Sequence, residues 1–367
     1  MFARTIAQLK EEKEMNVKKM VSIGLSGVLM LTCTISSAAC TLLGANGTET
    51  EDQNAYIAST SDNPYLPGPR KPVYVTIPQD GGYKFVHTPC LIKEKDGSFT
   101  DVGSDRGMNE KGFSWTRSWV VPGEPESVDK TPAVDWFLKL GSTVSTVDEA
   151  IEFVKNNPKG VGCQGNYIFA DAEGSLAVVE AGYDTVTVVN KWTGQESGKA
   201  ARANRWESEE MKPLDRSGTE NKIYYNTSEY RYNRGMELLE KNTGKINVET
   251  LKQMISDRNM EADPSMPHLY SINNHGVTDG TISAEIYDPA NRTFWYTYGW
   301  LDGDTKEGDP ANYGDNANSW GGVWIPFILT ELDEEGFYTN WDGSLTPLGT
   351  KYLEKIRQSG KESEIGN

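Results

Sequence analysis

A chain of 367 residues is long for one compact core and short for three, which predicts one large domain with an extension, or two domains. Hydrophobic residues at 37%, with 10 Trp and 17 Tyr, argue against a disordered polymer. A formal charge of −17 argues against a nucleic-acid partner, because such a surface repels phosphate backbones and anionic membrane surfaces alike.

The first 39 residues read as an export leader. Lys18-Lys19 precede an apolar run over residues 20–31, and small residues follow, ending in Ser37-Ala38-Ala39. Basic, apolar, then small is the order a secretory signal requires. The run is too short and too rich in Gly and Ser to make a good spanning helix. Cleavage after Ala39 by signal peptidase would make Cys40 residue one of the mature chain and leave a charge of −19. The expected location is therefore outside the cytoplasm. Three cysteines remain, Cys40, Cys90 and Cys163. In an oxidising compartment the expected pairing is Cys90 with Cys163, leaving Cys40 free; three reduced thiols are the alternative.

Beyond the leader, strands and turns alternate with a few helices. Cys40-Thr41-Leu42-Leu43 is a short apolar start. Strands are expected at 56–60, 72–77 and 113–121, with a hairpin turn at Asp96-Gly97. Residues 132–140 are helical, with Gly141 as the stop. Thr146-Val147-Asp148-Glu149 is a capping box that opens a helix through Lys155, ended before Pro158. Residues 167–170 and 176–180 form a strand-turn-strand unit, which 185–188 continues. Helices follow at 230–239 and 248–258, then strands at 281–287 and 293–298. Residues 301–320, rich in Asp, Gly and Asn, read as an acidic linker. An aromatic-rich extension to residue 367 contains a last helix at 345–357. The domain boundaries expected are thus a removed leader over 1–39, a main domain over 40–300 and the extension over 301–367. Strands, then helices, then strands predict an α+β layered fold.

Common catalytic signatures are absent: no nucleophile elbow in the mature chain, no His-Glu-x-x-His, no Cys-x-x-Cys and no phosphate loop. Three histidines make a His-rich metal centre improbable, and Lys306 spoils the faint calcium-loop pattern of Asp302-Gly303-Asp304. No cofactor is expected. An amino-terminal cysteine, by contrast, carries its own base. The α-amino group titrates near pH ~8 and lies beside its own thiol, so it can accept the thiol proton. In the precursor that nitrogen is an amide, so leader removal switches the chemistry on.

Several segments together resemble the cysteine N-terminal-nucleophile (Ntn) hydrolases, in particular the penicillin acyltransferase-like and choloylglycine hydrolase-like groups and the related dipeptidases. Cys40-Thr41 followed by a strand ending at Asp62 is similar to their start. Gly107-Met108-Asn109-Glu110-Lys111-Gly112 resembles their Gly-x-Asn-Glu-x-Gly turn. Thr146 to Ile151, Gly165 to Asp171, Ala203-Asn204-Arg205-Trp206, Tyr230-Arg231-Tyr232 and Asn274-His275-Gly276 follow in the same order. The resemblance implies a four-layer αββα sandwich with two antiparallel sheets, and cleavage of a linear amide C–N bond through a thioester. It implies Cys40 as nucleophile with its amine as base, Asp62 orienting that amine, Asn204 donating to the oxyanion and Arg231 beside the thiolate. Asn109, Trp119 and His275 are substrate-contacting or structural candidates. The partner implied is a small-molecule amide or short peptide; acyl transfer, dipeptidase activity and homo-oligomer formation stay open.

Two positions depart from the pattern. Many relatives carry Arg three residues before the Asp, where this chain has Ser59. Some place a second Asn on the strand after the Asn-Glu turn, where this chain has Ser118-Trp119. The alternative reading is a lipid-anchored exported binding protein, with a diacylated Cys40 and no catalysis. Against it, the position three before Cys40 is Ser37 rather than an aliphatic residue, and Thr-Leu-Leu-Gly after it reads as a strand.

Overall fold

A computed structural model describes residues 40–64, 70–94, 97–126, 130–220, 222–258, 270–274, 279–298, 323–340 and 343–360. The leader, Asp96, His275 and the 301–320 linker lie outside the described residues. Two antiparallel sheets dominate. The six-stranded sheet runs in the order β12-β1-β2-β13-β14-β15. Its strands are β1 (Leu42–Asn46), β2 (Tyr56–Pro64), β12 (Gly198–Arg202), β13 (Asp279–Asp288), β14 (Thr293–Tyr298) and β15 (Ile325–Ile328). The eight-stranded sheet runs β11-β10-β9-β8-β7-β4-β3-β16. It comprises β3 (Tyr74–Thr76), β4 (Phe85–His87), β7 (Arg106–Asn109), β8 (Ser114–Ser118), β9 (Gly165–Ala170), β10 (Leu176–Ala181), β11 (Val186–Trp192) and β16 (Gly336–Phe337). A separate hairpin pairs β5 (Leu91–Lys93) with β6 (Phe99–Asp101).

Period-two alternation sorts the side chains into layers, because successive residues of a strand face opposite sides. In β1, Leu42 joins the core between the sheets and Leu43 joins the outer core; in β2, Ile57 and Ala58 divide the same way. In β10, Leu176 and Val178 face inward while Ala177 and Val179 face outward. The outer face of the eight-stranded sheet is covered by α1 (Ala133–Thr143) and α2 (Val147–Asn156), through Trp136, Phe137, Leu140, Ala150 and Val154. Following the short α3 (Ser217–Glu220), the outer face of the other sheet is covered by α4 (Lys222–Lys241) and α5 (Val248–Ile255), through Leu239, Leu251, Met254 and Ile255. The result is helix, sheet, sheet, helix: the four-layer αββα sandwich. Beyond residue 322, β15 and β16 extend both sheets, and α6 (Pro347–Gln358) packs Tyr352 and Ile356 into the inter-sheet core.

Local signals map closely onto elements. The Thr146 side chain accepts from the Glu149 N–H and caps α2, as its sequence requires. Gly141 does not stop its helix; α1 continues to Thr143. An added Cβ at Gly141 would sit 2.8 Å from the Trp115 ring and 3.0 Å from the Phe85 ring, so the glycine admits close helix-on-sheet packing. The expected Cys90–Cys163 disulfide is absent: both are free thiols. Cys163 is buried in the core beneath α1 and α2, whereas Cys90 is half-buried beside the β5–β6 hairpin, so each thiol belongs to its own packing environment.

Candidate active site

Cys40 immediately precedes β1 and is buried, with 2% exposure. β1 is flanked by β2 and β12, Leu42 pairing with Ser59 on one side and Arg202 on the other. This register brings Asn204, two residues past Arg202, and Asp62, three past Ser59, to the end of the sheet that holds Cys40. The seam continues past the strand: the Thr41 N–H donates to Thr60 Oγ1 at 2.9 Å, and the Thr60 N–H returns a bond to the Thr41 carbonyl at 2.9 Å.

Arg231 reaches the same place from α4 and is fully buried. Its Nη1 donates to the Cys40 carbonyl at 2.6 Å and to Thr41 Oγ1 at 3.1 Å. Its Nη2 donates to Asn204 Oδ1 at 3.0 Å and to Ser228 Oγ at 3.3 Å. The Asn204 Nδ2 donates to the Trp119 carbonyl at 3.0 Å. Guanidinium on one side and carbonyl on the other fix which end of the amide is which. Asn204 therefore presents N–H donors, not acceptors, away from Arg231. Trp119 enters the site through its backbone carbonyl.

Asp62 lies opposite Thr281 in the β2–β13 ladder and accepts from its hydroxyl at 2.5 Å. Thr281 in turn accepts from the Asn274 N–H at 2.8 Å, which ties the segment before His275 to this side of the site. Asp62 is 1% exposed, which suits a carboxylate that meets an ammonium.

Asn109 stands apart at the other end of β7. Its Nδ2 donates to the Gly141 carbonyl at 2.9 Å and the Val144 carbonyl at 2.6 Å, and its Oδ1 accepts from the Lys111 and Phe113 N–H groups. Backbone groups thus take its amide on both sides: it holds the turn and closes the end of α1.

Several participants carry no local signature. Asn166 on β9 donates to the carbonyls of Ala203 and Arg205, at 2.6 and 3.1 Å, and so clamps the segment bearing Asn204. Gly165 precedes it at φ 144°, where an added Cβ would run into the Ser118 carbonyl; only glycine lets β9 start there. A buried ion cluster joins β7 to β13. Arg106 donates to Asp105 at 2.7 Å and lies 3.2 Å from Glu285; Lys71 also pairs with Asp105, and Arg117 does so at 3.1 Å. Burial alone would raise the Asp105 carboxyl, but Arg106, Lys71 and Arg117 hold it well below the usual carboxylate range. Burial raises the Glu285 carboxyl despite Arg106. Sequence order could have flagged only Asp105-Arg106 as an adjacent pair before the Gly-x-Asn-Glu turn.

The other two thiols are ill suited to nucleophilic work. Burial pushes Cys90 and Cys163 each up to about 12, so both stay protonated near neutrality.

Residues 48–300 match the family described as Acyl-coenzyme A:6-aminopenicillanic acid acyl-transferase, a span that includes Asp62, Asn204 and Arg231. No curated protein matches the sequence. Two solved structures of the conjugated bile acid hydrolase from Clostridium perfringens are similar at 13% and 11% identity. They cover 84% and 83% of this chain and 98% of each of those chains, with TM-scores of 0.44 and 0.45. Penicillin V acylase from Agrobacterium tumefaciens is similar at 15% identity over 71% of this chain and 84% of that one, with a TM-score of 0.43. The match over more than half of its length places this αββα chain in the penicillin acyltransferase family of cysteine Ntn hydrolases, enzymes that hydrolyse or transfer acyl groups at amide bonds.

Proposed function

We propose that this protein is an exported amidohydrolase in which Cys40, freed as residue one by leader cleavage, attacks a linear amide to give a thioester. The observation that carries the reading is the single guanidinium of Arg231, which binds both the Cys40 carbonyl and Asn204 Oδ1. It ties the residue read as nucleophile and the residue read as oxyanion donor to one rigid group, the kind of fixed positioning acyl transfer needs.

In this mechanism the α-amine of Cys40 takes the thiol proton and the sulfur attacks the carbonyl carbon. Asn204 Nδ2 donates to the resulting oxyanion. Asp62 orients the ammonium, which gives its proton to the departing amine as the C–N bond breaks. Water, deprotonated by the same amine, then cleaves the thioester to release a carboxylate and restore the thiol. An acceptor amine in place of water gives acyl transfer.

The substrate class is a small amide: acylated amino acids, short peptides, bile-acid amides and phenoxyacyl amides make the test panel, the last two because the similar solved enzymes are named for such compounds. Supporting a free rather than lipidated Cys40 is Ser37, three positions before it, where a lipid-attachment sequence prefers an aliphatic residue. The experiment is intact mass and amino-terminal sequencing of protein from its host, with turnover by wild type and Cys40→Ala. A free amino-terminal Cys40 and loss of turnover in the variant are expected; acyl chains on Cys40, a mature terminus elsewhere, or full turnover by Cys40→Ala would refute the mechanism.

A further inference from the structure

Arg106 opens β7 in the eight-stranded sheet, yet its side chain spans the inter-sheet space to reach β2 of the other sheet. It is fully buried. Its Nη2 donates to the Thr60 carbonyl at 2.8 Å and its Nε to Ser59 Oγ at 3.1 Å. Thr60 is the residue that exchanges two hydrogen bonds with Thr41, next to Cys40. Ser59 is also the position where the family resemblance leads one to expect an arginine. Here the short side chain of Ser59 accepts a guanidinium that arrives from the opposite sheet.

Charged groups converge on Arg106 from several strands. From its own strand side Arg106 meets Asp105, which also holds Lys71 and Arg117. From β13 it meets Glu285 and from β2 Ser59, and the Tyr287 and Cys40 side chains lie within its electrostatic reach. Asp62 on β2 and Arg231 on α4 lie at the same end of the sheet, and Asp101 on β6 faces Lys71 and Asp105. Among the described residues of the cluster, three carboxylates, Asp101, Asp105 and Glu285, face three cations, Lys71, Arg106 and Arg117. Burial opposes the charge on Arg106, but Asp105, then Cys40, then Glu285 keep it well above its ordinary value.

We propose that Arg106 is a positioning residue for the nucleophile: a guanidinium supplied by the opposite sheet, it locks the Ser59–Thr60 backbone beside Cys40 and stabilises the anionic form of the sulfur. The proposal rests on the reading of Cys40 as nucleophile.

The test is the pH dependence of Cys40 alkylation by iodoacetamide, followed by peptide mapping, on the protein as its host produces it. Arg106→Gln is expected to raise the alkylation midpoint by about one pH unit, the lower end of what one nearby charge does. Its kcat is expected to fall by more than tenfold with KM little changed, and Arg106→Lys to restore most of the midpoint. A folded Arg106→Gln with the wild-type midpoint overturns the proposal. Should that variant fail to fold, Asp105→Asn reads the same coupling with opposite sign, since it removes the charge that neutralises Arg106. Its midpoint is expected to fall; one that stays or rises overturns the proposal. Intact Cys40-dependent turnover with an unmoved midpoint in Arg106→Gln rejects Arg106 alone. Turnover that survives Cys40→Ala rejects the nucleophile, whatever the midpoint does.

Discussion

Arg231 holds Asn204 through Nη2 to Oδ1 at 3.0 Å while its Nη1 holds the Cys40 carbonyl at 2.6 Å. One planar fork thereby fixes two residues that are 164 positions apart in the sequence. Helix α4 acts as a spacer between Cys40 and the Asn204 amide.

Arg231→Lys keeps the charge and loses the fork. A lysine ammonium cannot serve the Cys40 carbonyl and Asn204 at once in the same plane. Turnover is expected to fall by about a hundredfold, the usual cost of a small misplacement of reacting groups. Thermal unfolding is expected to come earlier, since Arg231 is buried with four acceptors. Wild-type kcat in this variant would remove Arg231 from the site.

Asn204→Ala deletes the proposed oxyanion donor. Loss of one such donor costs about 3 kcal/mol of transition-state stabilisation, or roughly a hundredfold in kcat. KM is expected to change little, because the charge being stabilised exists only in the transition state. Steady-state kinetics decide: a rise in KM with unchanged kcat would make Asn204 a substrate-binding group instead.

Native alkylation should be selective. With Cys90 and Cys163 each at about 12, iodoacetamide near neutral pH is expected to label Cys40 alone in the folded protein. All three thiols should react after unfolding. Mass spectrometry of native and unfolded samples checks both statements, and a fast second label on the native protein would show that Cys90 or Cys163 is not held protonated.

His87 makes the fold sensitive to acid. It is buried on β4, bonded to Thr76 Oγ1 at 2.9 Å and Ser104 Oγ at 2.6 Å, and burial lowers it to about 3. Its folded value lies below its unfolded one, about 6.5. Between those values the unfolded chain binds the extra proton, so stability falls as pH falls through that window. The contribution is up to about 1.4 kcal/mol per pH unit. Urea unfolding of wild type and His87→Gln between pH 7 and pH 4 should show the shallower decline in the variant; parallel curves would exclude His87 as the source.

The sequence by itself determined what depends on neighbours a few residues apart. Thr146 and Glu149 cap α2 because they sit three positions apart at a helix start. Alternation in 176–181 sends Leu176 and Val178 to one core and Ala177 and Val179 to the other. The position of Cys40 after small residues, with Asp62, Asn204 and Arg231 in family order, was equally legible. The structure brings these four to one end of the six-stranded sheet.

Only the tertiary structure decided the rest. Gly141 reads as a helix stop until the Trp115 and Phe85 rings are seen to pack against it. Cys90 and Cys163 read as partners until each is found in its own packing environment. Ser59 reads as a missing arginine until Arg106 arrives from the facing sheet, 47 residues away, and Glu285 joins the same hydroxyl from 226 away. The physical reason is the same in each case. Capping and alternation are set by backbone geometry within a turn or a strand, whereas a side chain that crosses between layers has its partner chosen by how two sheets stack.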